Sequence, residues 1–294
     1  MTQGVVATVG AFDGIHRGHQ ILLREVVARA RYLGIKSLCV TFDPHPDTVL
    51  YPERQLTYLT DRPEKERVLR ELGLDHVLVF EFTRELSMLR PEEFLGMIRE
   101  RYHLAELWVG SDFALGRDRS GTVAALVDIG RVQAFALHVV PPQKVDAEVI
   151  SSTFIRKLLA DGQVGHANRL LGRHYRVSGR VEQGAARGRQ LGWPTANIRP
   201  DRQRALPADG VYLALVPLDD RVWRAVVNLG ARPTFEEGER LLEVHLLDFS
   251  GDLYGQELAV DIVDRIRGTR RFPSIDALRE QIARDAETAR TMEL

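Results

Sequence analysis

Cysteine occurs once in the 294 residues, at Cys39. An intramolecular disulfide is therefore impossible, and no cysteine-based zinc site can be built. Inside the apolar run Ser37–Val40, Cys39 is expected to be a small buried core residue. Lysine is scarce as well, standing only at Lys36, Lys65, Lys144 and Lys157. Nearly all positive charge is arginine, whose planar fork suits phosphate oxygens. The net charge of -1 supplies no bulk attraction to nucleic acid or to an anionic membrane, so neither is an expected partner. No apolar run reaches the ~20 residues of a membrane span. No basic segment followed by a long apolar core opens the chain, so a signal peptide is not expected and the cytoplasm is the expected compartment. Internal repeats and low-complexity segments are absent.

What is present falls into two patterns. Up to about Gly172, short apolar runs alternate with helical periodicity. Strands are expected at Val5–Val9, Lys36–Phe42, His76–Phe80, Glu106–Val109 and Phe135–Val140. Helices are expected at Gly18–Leu33, Pro63–Leu72, Pro91–Tyr102, Thr122–Val132, Ser151–Leu159 and Val164–Leu171. Such alternation implies a parallel sheet with helices on both faces and ligands beyond the carboxyl ends of its strands. From Arg173 the runs are strand-like with turn residues between them: Tyr175–Val181, Val211–Val216, Val222–Asn228, Leu242–Leu247 and Leu258–Val263. Strands without intervening helices imply an antiparallel barrel, closed by a helix that Ser274 caps.

The first strand leads into Gly10-Ala11-Phe12-Asp13-Gly14-Ile15-His16-Arg17-Gly18-His19. Glycines let the backbone turn tightly and approach a ligand closely. The helix that follows offers free N–H groups and a positive dipole end to a phosphate. His16 and His19, three apart, can face one pocket and donate hydrogen bonds to a reacting phosphorus centre. The string resembles the HxGH signature of the nucleotidyltransferase superfamily. With Phe-Asp-Gly before it, it is similar to the FMN adenylyltransferase module of bacterial bifunctional riboflavin kinase/FAD synthetases. Three further segments extend the resemblance: Thr41-Phe42-Asp43-Pro44-His45-Pro46, Gly110-Ser111-Asp112-Phe113-Ala114-Leu115-Gly116, and Ile150-Ser151-Ser152-Thr153-Phe154-Ile155-Arg156.

The resemblance implies catalytic roles for His16, His19 and Arg156. It implies ATP or phosphate contacts for Gly10, Phe12, Asp13, Gly14, Gly18, Asp112, Ser151, Ser152 and Thr153, and flavin contacts for Phe42, Pro44, His45 and Phe113. Where the family usually carries an aromatic, this chain has Leu115, which keeps an apolar surface without a stacking face. The nucleophile of adenylyl transfer is an FMN phosphate oxygen, ionised at neutral pH, so catalysis reduces to alignment and charge stabilisation.

The barrel half opens with Gly179-Arg180-Val181-Glu182-Gln183-Gly184 and then Gly188-Arg189-Gln190-Leu191-Gly192-Trp193-Pro194-Thr195-Ala196-Asn197-Ile198. The Thr195 hydroxyl and Asn197 amide oxygen are hard ligands, and their i, i+2 spacing on an extended segment puts both on one face. Two such groups suffice for Mg²⁺, which keeps its phosphates and waters. Along Leu242–Leu247, Glu243, His245 and Leu247 share one face. This half resembles riboflavin kinases. The resemblance implies Glu243 as the group that takes or orients the hydroxyl proton, Thr195 and Asn197 as Mg²⁺ ligands, Gly184, Gly188 and Arg189 as phosphate contacts, and Arg267 and Phe272 as flavin contacts. Asn228–Phe235 also matches the kinase string. His245 and Asp248 are expected to be structural.

The expected architecture is thus a Rossmann-like nucleotidyltransferase domain over residues 1–172 and a riboflavin kinase domain over 173–294, a six-stranded antiparallel β-barrel with a closing helix. The expected substrates and products are riboflavin, FMN, FAD and ATP, with Mg²⁺ assisting, in a monomer or weak homo-oligomer.

Overall fold

The computed structural model describes residues 4–142, 144–145, 148–182, 193–231 and 240–294. It contains two compact units, Met1–Ser152 and Thr153–Leu294.

In the first unit five parallel strands form one sheet in the order β3-β2-β1-β4-β7. They are β1 (Gly4–Val9), β2 (Lys36–Asp43), β3 (His76–Glu81), β4 (His103–Gly110) and β7 (Ala136–Val140). The central strand carries Val5, Val6, Ala7, Thr8 and Val9, all buried, as a strand covered on both faces requires. Helices α1 (Arg17–Leu33) and α3 (Arg62–Glu71) cover one face, where Leu23, Val26 and Val68 meet Val6 and Cys39. Helices α5 (Pro91–Arg101) and α6 (Val123–Gln133) cover the other, with Phe94, Ile98 and Leu126 against Ala7, Val40 and Leu107. The chain runs outward from β1 to β3 and then returns beside β1 as β4, which makes the β1/β4 crevice the switch point of the sheet. Short α2 (Pro46–Leu50), α4 (Arg84–Ser87) and the two-residue hairpins β5/β6 (Ala114–Leu115, Gly121–Thr122) and β8/β9 (Lys144–Val145, Glu148–Val149) fill the connections.

The second unit is built on a closed barrel, β10-β11-β14-β13-β12-β15. Its strands are β10 (Tyr175–Glu182), β11 (Ala196–Ile198), β12 (Gly210–Leu218), β13 (Arg221–Ala231), β14 (Arg240–Leu246) and β15 (Glu257–Gly268). One face of the alternation is apolar and closed to solvent: Tyr175, Val177, Tyr212, Ala214, Val227, Val244, Val260 and Ile262. These side chains fill the barrel. On the outer face, α9 (Ile275–Thr291) lays Ala286 and Ala289 over Leu213, Leu247 and Val263, and Ser274 caps it by accepting from the Ala277 N–H at 3.2 Å.

Helix α7 begins at Ser152 (Ser152–Ala160) and α8 follows (Val164–Leu171). Both are fastened to the barrel. The Asn168 amide donates to the Ile262 and Val263 carbonyls at 2.9 and 2.8 Å and accepts from the Tyr175 N–H at 2.8 Å. The Ala208 N–H donates to the Leu159 carbonyl at 2.9 Å. The alternating helix–strand pattern therefore ends at Gly172, whereas the compact unit changes earlier, at Ser152.

Candidate active sites

In the first unit the turn after β1 is held in an unusual backbone path. Phe12 and Ile15 have φ of 46° and 39°, in the left-handed region that costs a non-glycine residue of order 1 kcal/mol or more. Non-local bonds maintain it. Asp13 is buried, and its carboxylate accepts from the Leu59 N–H at 2.9 Å, the Thr60 N–H at 3.1 Å and the Thr60 hydroxyl at 3.2 Å. The Gly14 N–H donates to Thr60 Oγ1 at 3.1 Å, and the Ser152 hydroxyl donates to the Asp13 carbonyl at 2.9 Å. Four of the residues expected to contact phosphate, Phe12, Asp13, Gly14 and Ser152, thus lie in or against this turn.

The two histidines are brought together. His16 is the N-cap of α1, and its Nδ1 accepts from the His19 N–H at 3.3 Å. With Nδ1 accepting, the proton of a neutral His16 ring resides on Nε2, which is left as a donor. The two rings stack with centroids 3.7 Å apart and planes 16° off parallel. Phe12 meets His19 edge-on at 5.3 Å. Burial, the neighbouring His16 and Lys65 together hold the His19 pKa well below the ordinary histidine value. His19 Nδ1 is buried with no hydrogen-bond partner among the described residues. The pair therefore places two stacked imidazoles, His19 held neutral, at the N-terminus of a 17-residue helix, a donor set for an anion.

The other residues expected to serve this reaction lie along the carboxyl ends of the strands of this unit, apart from Thr153 and Arg156, which belong to the second unit. Phe42 is 9% exposed and packs in the core against Phe82 and Phe94. His45 caps α2, its Nδ1 accepting from the Asp47 N–H at 3.1 Å. Phe113 packs at the edge of the same core, and Asp112 is exposed. Leu115 lies in strand β5 and is buried in the core beneath Phe113 and Leu126, not in an open loop. Thr153 and Arg156 fall in α7, Arg156 one turn beyond Ser152.

In the second unit the strand register assembles the site. Asn197 pairs with Glu243 across β11 and β14, and Glu243 pairs with Asn228 across β14 and β13. Asn228 pairs with Val211, and Val211 with Arg267. Directly opposed residues of antiparallel strands point to one side, so Asn197, Glu243, Asn228 and Arg267 form a single row on the outside of the barrel. Asn197 is buried, Glu243 half-buried. The Asn228 amide donates to Glu243 Oε2 at 3.3 Å. Thr195 stands just before β11, two residues from Asn197, and is half-buried. His245 Nδ1 sits 2.7 Å from the Pro194 carbonyl and its ring meets Trp193 edge-on at 5.0 Å, which fixes the approach to Thr195.

Arg267 is held bidentately by buried Asp285 of α9, at 2.8 to 3.1 Å, with Gln281 bracing that carboxylate at 2.6 Å. Its guanidinium lies 5.7 Å from the Phe272 ring centroid. Gly184, Gly188, Arg189 and the segment 232–235 lie outside the described residues. Asn228 as partner of Glu243 and Asp285 as partner of Arg267 are not visible in the sequence pattern. Strand register is the signal that finds the first, and no local signal finds the second.

The sequence matches the family model of FAD synthetase over residues 1–154 and that of riboflavin kinase over residues 171–293. It is similar to the bifunctional riboflavin kinase/FMN adenylyltransferase of Pseudomonas fluorescens, 40% identical, covering 99% of this chain and 93% of that protein. The Escherichia coli (strain K12) protein of the same description is 37% identical, over 98% of this chain and 92% of its own length. A crystal structure described as a macrolide-efflux protein from Streptococcus pneumoniae is similar over 100% of this chain and 96% of its own, with 32% identity and a TM-score of 0.91.

Proposed function

The chain belongs to the bifunctional riboflavin kinase/FMN adenylyltransferase family, and from that premise we propose which of its side chains serve each reaction. It phosphorylates riboflavin to FMN and transfers the adenylyl group of ATP to FMN, giving FAD. The observation that carries the assignment is that each unit holds one separate cluster of suitable chemistry.

Adenylyl transfer is assigned to the turn after β1. The FMN phosphate needs no base to attack the α-phosphate, so the protein's task is to align and to donate hydrogen bonds. His16 donates from Nε2, His19 lends a second, neutral ring beside it, and the N–H groups of Gly18 and its neighbours serve the same anion. Gly10, Phe12, Asp13, Gly14, Ser151, Ser152, Thr153 and Asp112 shape or contact the nucleotide, and Arg156 serves the triphosphate. Phe42, Pro44, His45 and Phe113 are assigned to the flavin. Asp13 supports this best as a brace, since its carboxylate already accepts from residues 59 and 60.

Riboflavin phosphorylation is assigned to the outer row of the barrel. Glu243 takes or orients the proton of the attacking hydroxyl, and Asn228 holds its carboxylate. Thr195 and Asn197 are the groups that would hold Mg²⁺. The donor set fits: both are neutral oxygens two residues apart, Asn197 stands opposite the Glu243 carboxylate, and no cluster of three acidic, histidine or cysteine side chains competes among the described residues. When bound, the ion would offset the charge of the nucleotide phosphates. Gly184, Gly188 and Arg189 are assigned to the phosphates and Arg267 and Phe272 to the flavin. Among the described residues no helix is long and apolar enough to cross a membrane, and a cytoplasmic monomer or weak homo-oligomer is the form proposed.

A Mg²⁺ titration of FMN formation tests the kinase assignment. Thr195→Val and Asn197→Ala should each raise the half-saturating Mg²⁺ concentration by about tenfold, a factor that corresponds to one lost ligand of ~1.4 kcal/mol. Unchanged Mg²⁺ dependence in both would contradict it.

A further inference from the structure

Lys65, on α3, is a buried charge that the chemistry above does not use. Only 6% of its surface reaches solvent. An ammonium out of water is costly unless its N–H groups find acceptors. Its Nζ donates to two main-chain carbonyls, Ala11 at 3.0 Å and Phe42 at 3.2 Å. The Thr41 hydroxyl donates to the same Ala11 carbonyl at 3.1 Å. Among the described residues no carboxylate forms an ion pair with Lys65. Burial pushes its pKa down, while the Asp13 and Asp43 carboxylates act in the opposite direction.

Where these bonds lie gives them meaning. The β1/β2 ladder ends at the pair Val9 and Val40, with the Gly10 N–H donating to the Val40 carbonyl at 3.0 Å. Beyond that point the two strands diverge into different halves of the site. Ala11 belongs to the turn that carries His16 and His19. Phe42 opens the string Phe42–His45 assigned to the flavin. Lys65 and Thr41 are what join them.

We propose that Lys65 is a positioning residue for adenylyl transfer, fixing the histidine turn against the flavin string so that the FMN phosphate meets the α-phosphate in line. The proposal rests on the assignment of His16 and His19 to this reaction. A residue with this role affects the transfer step more than either binding step, because each half still binds its own ligand while their relative placement is lost.

The test uses full-length Lys65→Met and Lys65→Gln, assayed for FAD formation from FMN and ATP, with His16→Ala alongside. Lys65→Met should lower kcat by roughly 10²-fold, the scale of an ~1 Å misplacement, with KM for FMN and ATP changed by less than about threefold. Lys65→Gln, one atom shorter but still carrying two donors, should recover at least about tenfold of that loss. Riboflavin phosphorylation should be unchanged in both. A wild-type kcat in Lys65→Met, or a loss confined to KM, overturns the proposal. So does Lys65→Gln as inactive as Lys65→Met, which would make the charge itself the active element. If Lys65→Met no longer binds FMN, Lys65→Gln decides alone: a lowered kcat with KM kept supports the role, and a wild-type kcat overturns it. Full FAD synthesis by His16→Ala would remove the site assignment beneath it, whereas an inactive His16→Ala beside a fully active Lys65→Met would remove only the role of Lys65.

Discussion

Asn228 and Glu243 stand opposite each other on β13 and β14, and the Asn228 amide donates to Glu243 Oε2 at 3.3 Å. On the other side of Glu243, in the same row, stands Asn197. The carboxylate thereby stands between two amides on the outside of the barrel, with Asn228 bonded to it. Asn228→Ala should leave Glu243 in place but less well aimed. The bond is exposed, so riboflavin kcat should fall by about tenfold, the lower end of a hydrogen bond to a charged group, with FAD formation from supplied FMN unchanged. Steady-state assays of the two reactions check this.

Asp13 and the 59–60 backbone form the brace of the first site. Asp13→Asn keeps the size but replaces one acceptor oxygen with a donor that faces the Leu59 and Thr60 N–H groups. The first unit should lose about 2–3 kcal/mol by the cost of unsatisfied buried donors, and FAD formation should fall with it. Calorimetry should show the loss in one transition, with riboflavin kinase activity retained.

Among the groups that make the first unit sensitive to acid, His19 and Glu106 act in separate windows. His19 has its pKa lowered by burial, His16 and Lys65, so the unfolded chain binds the extra proton first. Stability therefore falls as pH drops below the ordinary histidine value of 6.5. Glu106 is buried, which alone would raise its pKa. The bonds from Arg29 and Trp108 and the nearby His138 outweigh burial and hold it below the usual carboxylate range. Its stabilisation is complete above the ordinary value of 4.5 and is lost as pH falls through the lowered one. In melting temperature against pH, His19→Gln should reduce the slope of the upper window and Glu106→Gln that of the lower one, where Asp75, whose burial is outweighed by the bonds from Lys36 and Ser37, keeps part of the slope. His19 ring resonances that titrate near 6.5 would contradict the first part.

Asp285→Ala should be more damaging than its place in the last helix implies. Asp285 is 2% exposed and is the bidentate partner of Arg267. Removing it strands a largely buried guanidinium, which costs about 3–5 kcal/mol. Urea unfolding of the second unit should shift by that amount, and KM for riboflavin should rise because Arg267 loses its anchor.

Much of this architecture is legible in the sequence. Every strand of the five-stranded sheet and the long helices follow from apolar periodicity, and the Ser274 cap is where the hydroxyl predicts it. The three-residue strand β11 was not, because Ala196–Ile198 sits inside a string rich in turn residues and its pairing with Glu243 is a matter of register. Leu115 falls in none of the expected strands and yet is core, since a strand of two residues carries no periodicity. The resemblance implies a phosphate contact for Asp13, and its role as a brace is not visible locally because the N–H groups it accepts from lie 46 and 47 residues away. Lys65 was visible only as one of four lysines; its burial depends on where α3 crosses the ends of β1 and β2.

The assignment places two successive reactions at two separate sites. Chromatography of the products from riboflavin, ATP and Mg²⁺ tests it most directly, with wild type beside His16→Ala and Glu243→Ala. Wild type should make FMN and then FAD, His16→Ala should stop at FMN, and Glu243→Ala should make FAD only when FMN is supplied. FAD formation by His16→Ala at the wild-type rate, or FMN formation by Glu243→Ala at the wild-type rate, would contradict the account.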